Sequence, residues 1–274
     1  LSPLGLEEKY LQQDKDQLVD KVRFINDLDP DILCILFDDM RGDFDGLLRR
    51  QLQIIDDIAA ASSARKFIIC PTYYSFDPVL EQVFGAMPPL YLEKLGVSLS
   101  SAIDIFWTGD KVISGEYSAA GASRIARLLR RKPVLWDNYP VNDGRLTSTF
   151  LHLRPYGGRP AKISEWYAGH LVNPMNQPLL SQIVLQSLDS LYHDRLYSPE
   201  LSLDRGLGLL GSKSLAARLK SDVDVFQDRG LDGLSEGQRV QLLTAYSCID
   251  HPAAAEVADW LSGGYQFDPA CLTD

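Results

Sequence analysis

The chain has 274 residues, 27 Lys and Arg against 37 Asp and Glu, and a formal net charge of -10, enough length for one large domain and a smaller appendage. The acidic balance argues against a nucleic-acid partner, because phosphate backbones are bound by clustered Lys and Arg, and no apolar run approaches the ~20 residues of a membrane span. The four cysteines, Cys34, Cys70, Cys248 and Cys271, show no CxxC spacing, which predicts neither a disulfide framework nor a zinc site.

In chain order, Leu18, Val19, Val22, Ile25 and Leu28 recur at a helical period between Gln13 and Leu28. The apolar run Ile32 to Phe37 follows as a strand and stops on Asp38 and Asp39. Leu48, Leu52, Ile55 and Ile58 mark a second helix, Lys66 to Cys70 a second strand, and Ile103 to Trp107 a third. Ser118 is placed to cap a helix through Arg130; Pro133 to Trp136 starts a fourth strand, and Ala168 to Val172 reads as a weaker fifth. Asn176 with Pro178 opens an amphipathic helix through Tyr192. Beyond it, Leu215 to Phe226, Ser235 to Tyr246 (Ser235 and Gln238 as a capping box) and Pro252 to Leu261 read as helices, with no further strand.

Strands alternating with helices predict an α/β fold with a parallel sheet, whose C-terminal strand ends carry the site in both open sheets and barrels. A (β/α)8 TIM barrel spends ~31 residues per unit, so five visible units fit Leu1 to Tyr192, with Leu1-Ser2-Pro3 as the tail of a sixth strand and the first units missing. The expected organisation is therefore a barrel catalytic domain over residues 1–192 and a small helical domain over 193–274. With no membrane-length apolar run a soluble chain is expected, and because the opening Leu-Ser-Pro is neither an initiator methionine nor a leader, any leader would lie upstream and cytoplasmic and secreted locations both stay open.

Two adjacent carboxylates at a strand end can cap the next helix or work chemically, and the residues by themselves weigh these about evenly. The acids continue to Asp43 and Asp45, but without the alternating ligands, central Gly and closing Glu of an EF-hand. The histidines His152, His170, His193 and His251 have no nucleophile-elbow pattern beside them, and no glycine spacing gives a P-loop or dinucleotide fingerprint. Other strand ends bring Tyr73, Tyr74, Trp107, Trp136 and Tyr139 together with Asn138, Asn142, Asp143 and Asn173. That mix suits a sugar, since aromatic faces cover the apolar side of a pyranose while carboxylates and amides fix its hydroxyls. No cofactor and no metal are expected, although a magnesium enzyme using Asp38, Asp39, Asp43 and Asp45 is the remote alternative.

Six segments together resemble glycoside hydrolase family 84, the O-GlcNAcases and β-N-acetylglucosaminidases, in a bacterial-type member. They are Leu36 to Asp39, Cys70 to Tyr74, Phe106 to Val112, Val134 to Asp143, Arg154 to Arg159 and Val172 to Pro174. The resemblance implies a (β/α)8 barrel and a retaining exo-hydrolase of terminal β-linked GlcNAc. In it the substrate's own acetamido oxygen attacks C1 to give an oxazoline, an exception to the two-carboxylate rule.

By position the resemblance makes Asp38 the acceptor of the acetamido N–H and Asp39 the acid and then base toward the glycosidic oxygen and water. It gives Asp143 and Asn173 the 4- and 6-hydroxyls, Trp136 a floor under the acetamido methyl, and Tyr74 and Asn138 hydrogen bonds in the pocket. Val112, beside Lys111, joins the wall near the leaving group, and Trp107 is mainly structural. Tyr73, where some relatives carry Glu, and Gly144, where human-type enzymes carry Tyr, are departures on the leaving-group side. The family's first strands also supply a glycine backbone contact and a lysine that these residues lack. The implied partner is a GlcNAc-bearing glycoprotein or glycan. A hyaluronan or other GlcNAc-glycan hydrolase and a non-catalytic GlcNAc-binding protein are the alternatives, and oligomeric state is left open.

Overall fold

The computed structural model of the chain describes residues 1–7, 9–193, 196–265 and 267. Helix α1 (Gln12–Asn26) buries Leu18 and Val22, and Asp27 to Asp31 lead into strand β1 (Ile32–Leu36). Helix α2 (Leu47–Ala61) then leads to β2 (Lys66–Cys70), and the short helices α3 (Val79–Phe84) and α4 (Tyr91–Ser98) lead to β3 (Ile103–Trp107). Helix α5 (Ala119–Leu129) starts at Ser118, whose hydroxyl accepts the Gly121 N–H at 3.1 Å, the cap its sequence predicts. Strand β4 (Val134–Asp137), helix α6 (Ile163–Trp166) and β5 (Gly169–Val172) complete the sheet.

The five strands lie in sequence order, β1-β2-β3-β4-β5, and the pairs β1 with β2, β2 with β3 and β3 with β4 are parallel. Sequential parallel strands with helical crossovers make part of a (β/α)8 barrel, the fold class expected. At the β1 edge the Leu1 N–H donates to the Cys34 carbonyl at 2.8 Å and the Leu1 carbonyl accepts from Leu36 N–H at 2.9 Å. That is the bonding of a parallel neighbour, limited to one residue.

After β5 the described chain is helical: α7 (Pro178–Leu185), α8 (Ser187–His193), α9 (Pro199–Gly208), α10 (Lys213–Asp224), a π-helical turn at Val225–Arg229, α11 (Glu236–Ser247) and α12 (Pro252–Leu261). The Ser235 and Gln238 capping box forms at the start of α11. The helix expected to run unbroken from Pro178 to Tyr192 divides at Gln186, whose amide donates to the Ile183 and Ser202 carbonyls. Helices α3, α4, α6 and α9 have no counterpart in the sequence reading. α3, α4 and α6 run four to eight residues, too short for a 3.6-residue period to stand out, with Pro88-Pro89 between α3 and α4, while α9 buries Ser202, Gly206 and Leu207, a face with one large apolar residue and so no apolar period.

By its contacts the chain divides into two compact units, Leu1–Val112 with Tyr117–Trp136 and Ile163–Leu171, and Ile113–Glu116 with Asp137–Lys162 and Val172–Asp274. In the first, Leu33, Ile35, Ile68, Ile69 and Ile105 of the sheet pack with Val22, Ile54, Ile58, Leu95 and Ile125 of the helices. In the second, Leu151, Leu153, Met175 and Leu180 share a core with Leu215, Phe226, Tyr246 and Trp260.

Candidate active site

Strand β1 ends at Leu36, and the chain then turns: Met40 N–H donates to the Phe37 carbonyl at 3.1 Å, which places Asp38 and Asp39 at the two corners of a β-turn. Strand alternation would send neighbours to opposite faces, and the turn removes that constraint. Asp38 is half-buried and Asp39 exposed. Burial, with the Asp39 charge next to it, pushes the Asp38 carboxyl up to about 6, and its Oδ1 is buried without a hydrogen-bond partner among the described residues. Asp39 is raised too, by partial desolvation. The Cys70 thiol on β2, fully buried and facing both acids, is pushed well above the usual thiol range and stays neutral.

Of the remaining acids on this loop, Asp43 is held by Arg41 through two bonds of 2.9 Å. The loop passes close to Tyr73, whose hydroxyl would lie 2.2 Å from a Cβ at position 42, so only glycine fits there. Among the described residues no group of three or more His, Cys, Asp or Glu is placed to hold a metal ion.

The second strand end separates two tyrosines expected at the site. Tyr73 is turned inward, 1% exposed, donating its hydroxyl to the Gly85 carbonyl at 2.7 Å and meeting Tyr91 edge-on. Tyr74 is 6% exposed, and its carbonyl accepts from Thr108 N–H at 3.0 Å, tying the β2 end to the β3 end. Trp107 is buried against Phe76, ring centres 4.7 Å apart, the structural place expected of it. The Val112 N–H donates to Asp77 Oδ2 at 3.2 Å, so Asp77, which the sequence reading passed over, holds the segment carrying Lys111 and Val112. Trp136, half-buried at the end of β4, leans on Phe106 with ring centres 4.8 Å apart.

The second unit contains Asn138, Asp143 and Asn173. Asn173 N–H donates to the Asp137 carbonyl at 3.0 Å and its side-chain amide to Asn138 Oδ1 at 3.4 Å, so these two amides are neighbours. Asn142, grouped with them by sequence, is instead consumed internally: its amide donates to the Phe150 carbonyl and to Gln177, and its Oδ1 accepts from Asn176 N–H. Asp143 is half-buried at the head of the loop that follows.

That loop is secured from the helices of its own unit. Trp260 Nε1 donates to the Ser148 carbonyl at 3.0 Å, Leu231 N–H to Thr149 at 2.8 Å, and Leu151 N–H to Phe226 at 3.2 Å. Asp137 itself is fully buried and paired with Arg159 through bonds of 2.9 and 2.6 Å, while Arg159 also donates to the Ser114, Gly115 and Gly157 carbonyls. Sequence alone gave no signal for this pair beyond the Arg154 to Arg159 segment. Gly158 makes its approach possible: at φ +66° it takes a left-handed conformation, and a Cβ there would lie 2.3 Å from the Gly115 carbonyl. His152 is half-buried, and desolvation lowers its pKa to about 4.

A parallel partial α/β barrel with an acid pair just beyond one strand end has the layout of barrels that carry their sites at the C-terminal strand ends. The chain belongs to the β-N-acetylglucosaminidase family, whose family model matches residues 1–221. The family-84 resemblance therefore holds.

The protein O-GlcNAcases of Rattus norvegicus and Mus musculus are each 28% identical to it over 172 residues, 60% of this chain and 18% of theirs. A mutant of the Thermobaculum terrenum O-GlcNAc hydrolase superposes with a TM-score of 0.69 at 24% identity, covering 92% of this chain and 62% of that one, which speaks for the fold. The chain thus spans under a fifth of the length of the rodent relatives and about three fifths of the bacterial one. Among the described residues no helix is long and apolar enough to cross a membrane.

Proposed function

We propose that the chain carries the acid pair of a retaining exo-β-N-acetylglucosaminidase acting on terminal β-O-linked GlcNAc, as the O-GlcNAcases it resembles are named for doing. The observation that carries this reading is the turn, which sets Asp38 and Asp39 side by side beyond β1 with different degrees of burial. Asp38 accepts the substrate's acetamido N–H and steadies its oxygen as that oxygen attacks C1. Asp39 protonates the departing glycosidic oxygen and then takes a proton from the water that opens the oxazoline. In the roles the family resemblance implies, Tyr74, Trp136 and Val112 are sugar-binding residues of the first unit, and Asn138, Asp143 and Asn173 of the second. Residues 1–192 carry the catalytic barrel portion, and the described helices of 193–274 are an appendage that shares a core with Leu151, Leu153, Met175 and Leu180.

Without substrate the more buried Asp38 is the better holder of a shared proton, the reverse of what the reaction needs. Binding corrects this. An acetamido N–H donated to Asp38 stabilises its anion, and a leaving group laid over exposed Asp39 desolvates it and keeps it protonated.

The test is hydrolysis of an aryl β-GlcNAc by the full-length protein, with inhibition by a thiazoline mimic of the oxazoline and full activity in EDTA. GlcNAc binding without turnover would make the protein a sugar-binding module, and loss of activity in EDTA would revive the magnesium reading.

A further inference from the structure

A buried chain of side chains ends on the turn that carries the acid pair. Gln51, on the otherwise apolar buried face of α2, is 0% exposed, as is Thr72 just beyond β2. The Tyr91 hydroxyl donates to Gln51 Oε1 at 2.5 Å, Gln51 Nε2 donates to Thr72 Oγ1 at 3.0 Å, and Thr72 Oγ1 donates to the Phe37 carbonyl at 2.9 Å. Gln51 Nε2 also reaches Met40 Sδ at 3.9 Å, so the amide touches the closing residue of the turn as well. The terminal donor is spent on the same carbonyl that closes the Phe37 to Met40 turn, while Phe37 N–H is tied to the Cys70 carbonyl at 2.9 Å. Both polar groups of Phe37, the residue before Asp38, are thereby fixed to β2 and its end. A buried glutamine amid Leu47, Ile54, Ile55 and Ile58 costs desolvation and adds nothing to apolar packing, so its place is explained by the bonds it makes.

We infer that Tyr91, Gln51 and Thr72 are positioning residues, a relay that locks the turn and so sets where Asp38 and Asp39 stand relative to one another. This rests on the hydrolase reading above, and two separate readouts keep the two apart. Removing the Thr72 hydroxyl leaves the Phe37 carbonyl held by Met40 N–H alone, frees the turn, and misplaces Asp39 most where its proton is most needed.

Thr72→Val, which keeps the shape, is expected to lower kcat/KM for poor leaving groups about tenfold, the rate equivalent of one buried hydrogen bond, and to spare activated aryl leaving groups. Thr72→Ser restores both. Tyr91→Phe, which removes one oxygen at the far end, moves activity in the same direction by less.

The second readout needs no activity: the carboxyl titration of Asp38 by 13C NMR in the full-length protein. Among the side chains, the charged group that faces Asp38 is Asp39, with the neutral Cys70 thiol behind it. Loosening the turn admits water, so the Asp38 midpoint falls in Thr72→Val and returns in Thr72→Ser. An unmoved titration in Thr72→Val overturns the relay, as does a loss of rate equal for all leaving groups. If Thr72→Val folds poorly, the Thr72→Ser and Tyr91→Phe pair decides by the same two criteria. A protein that hydrolyses no GlcNAc substrate but whose Asp38 midpoint follows Thr72 keeps the relay and loses the hydrolase reading.

Discussion

Asp38 and Asp39 differ by one position in sequence and by their access to water in the fold, and pH dependence follows from that difference. On the proposed mechanism the reactive form of the free protein has Asp38 ionised, so kcat/KM should fall with decreasing pH around a midpoint near 6. In the complex the acetamido N–H stabilises the anion, so the acid limb of kcat should lie at lower pH. Identical limbs in the two profiles would remove Asp38 as the acetamido partner. Stability moves oppositely: a carboxyl whose folded pKa is raised from 3.8 to about 6 binds more protons folded than unfolded, so its contribution is lost as pH rises through that window. Asp38→Asn should therefore inactivate the enzyme yet raise its stability at pH 7.5, by up to about 3 kcal/mol, and leave it unchanged at pH 4. Thermal unfolding at the two pH values checks this.

At the scale of elements, the end of β4 depends on one buried ion pair. Replacing Arg159 by Met removes the guanidinium from a buried Asp137 carboxylate, which costs roughly 3–5 kcal/mol and is readable in urea denaturation. Arg159→Lys should recover little of it, because a single ammonium cannot match both carboxylate oxygens and three backbone carbonyls at once. The elements themselves were largely legible from sequence. Strand ends at Leu36 (one residue before the apolar run stops at Phe37), Cys70 and Trp107, and the Ser118 and Ser235 caps, were marked by apolar runs and local polar residues whose bonds lie within a few positions. The Arg159 pair was not, since 22 residues separate its partners and no local pattern joins them.

For the molecule as a whole, the helices that follow the sheet have a role in the second unit beyond filling space. Through Phe226, Leu231 and Trp260 they hold the loop from Asp143 to Leu151. Trp260→Ala should destabilise the protein by roughly 3–5 kcal/mol. In the fraction that remains folded it should raise KM through the loop bearing Asp143, with the acid limb of the pH profile left in place. A shifted acid limb would mean that the substitution reaches the acid pair, against the role assigned to Asp143.

The chain's sequence by itself determined the strand and helix alternation, the position of the acids at a strand end and the family likeness, because apolar periodicity, capping residues and short motifs are properties of neighbours along the chain. Only the tertiary structure decided that Asp38 and Asp39 occupy a turn, that Tyr73 and Asn142 point inward while Asn138 meets Asn173, and that Gln51, Thr72 and Tyr91 converge on one carbonyl. Those outcomes depend on which distant donor satisfies which buried acceptor, and on how much water each carboxylate keeps. Neither is set before the helices close over the sheet.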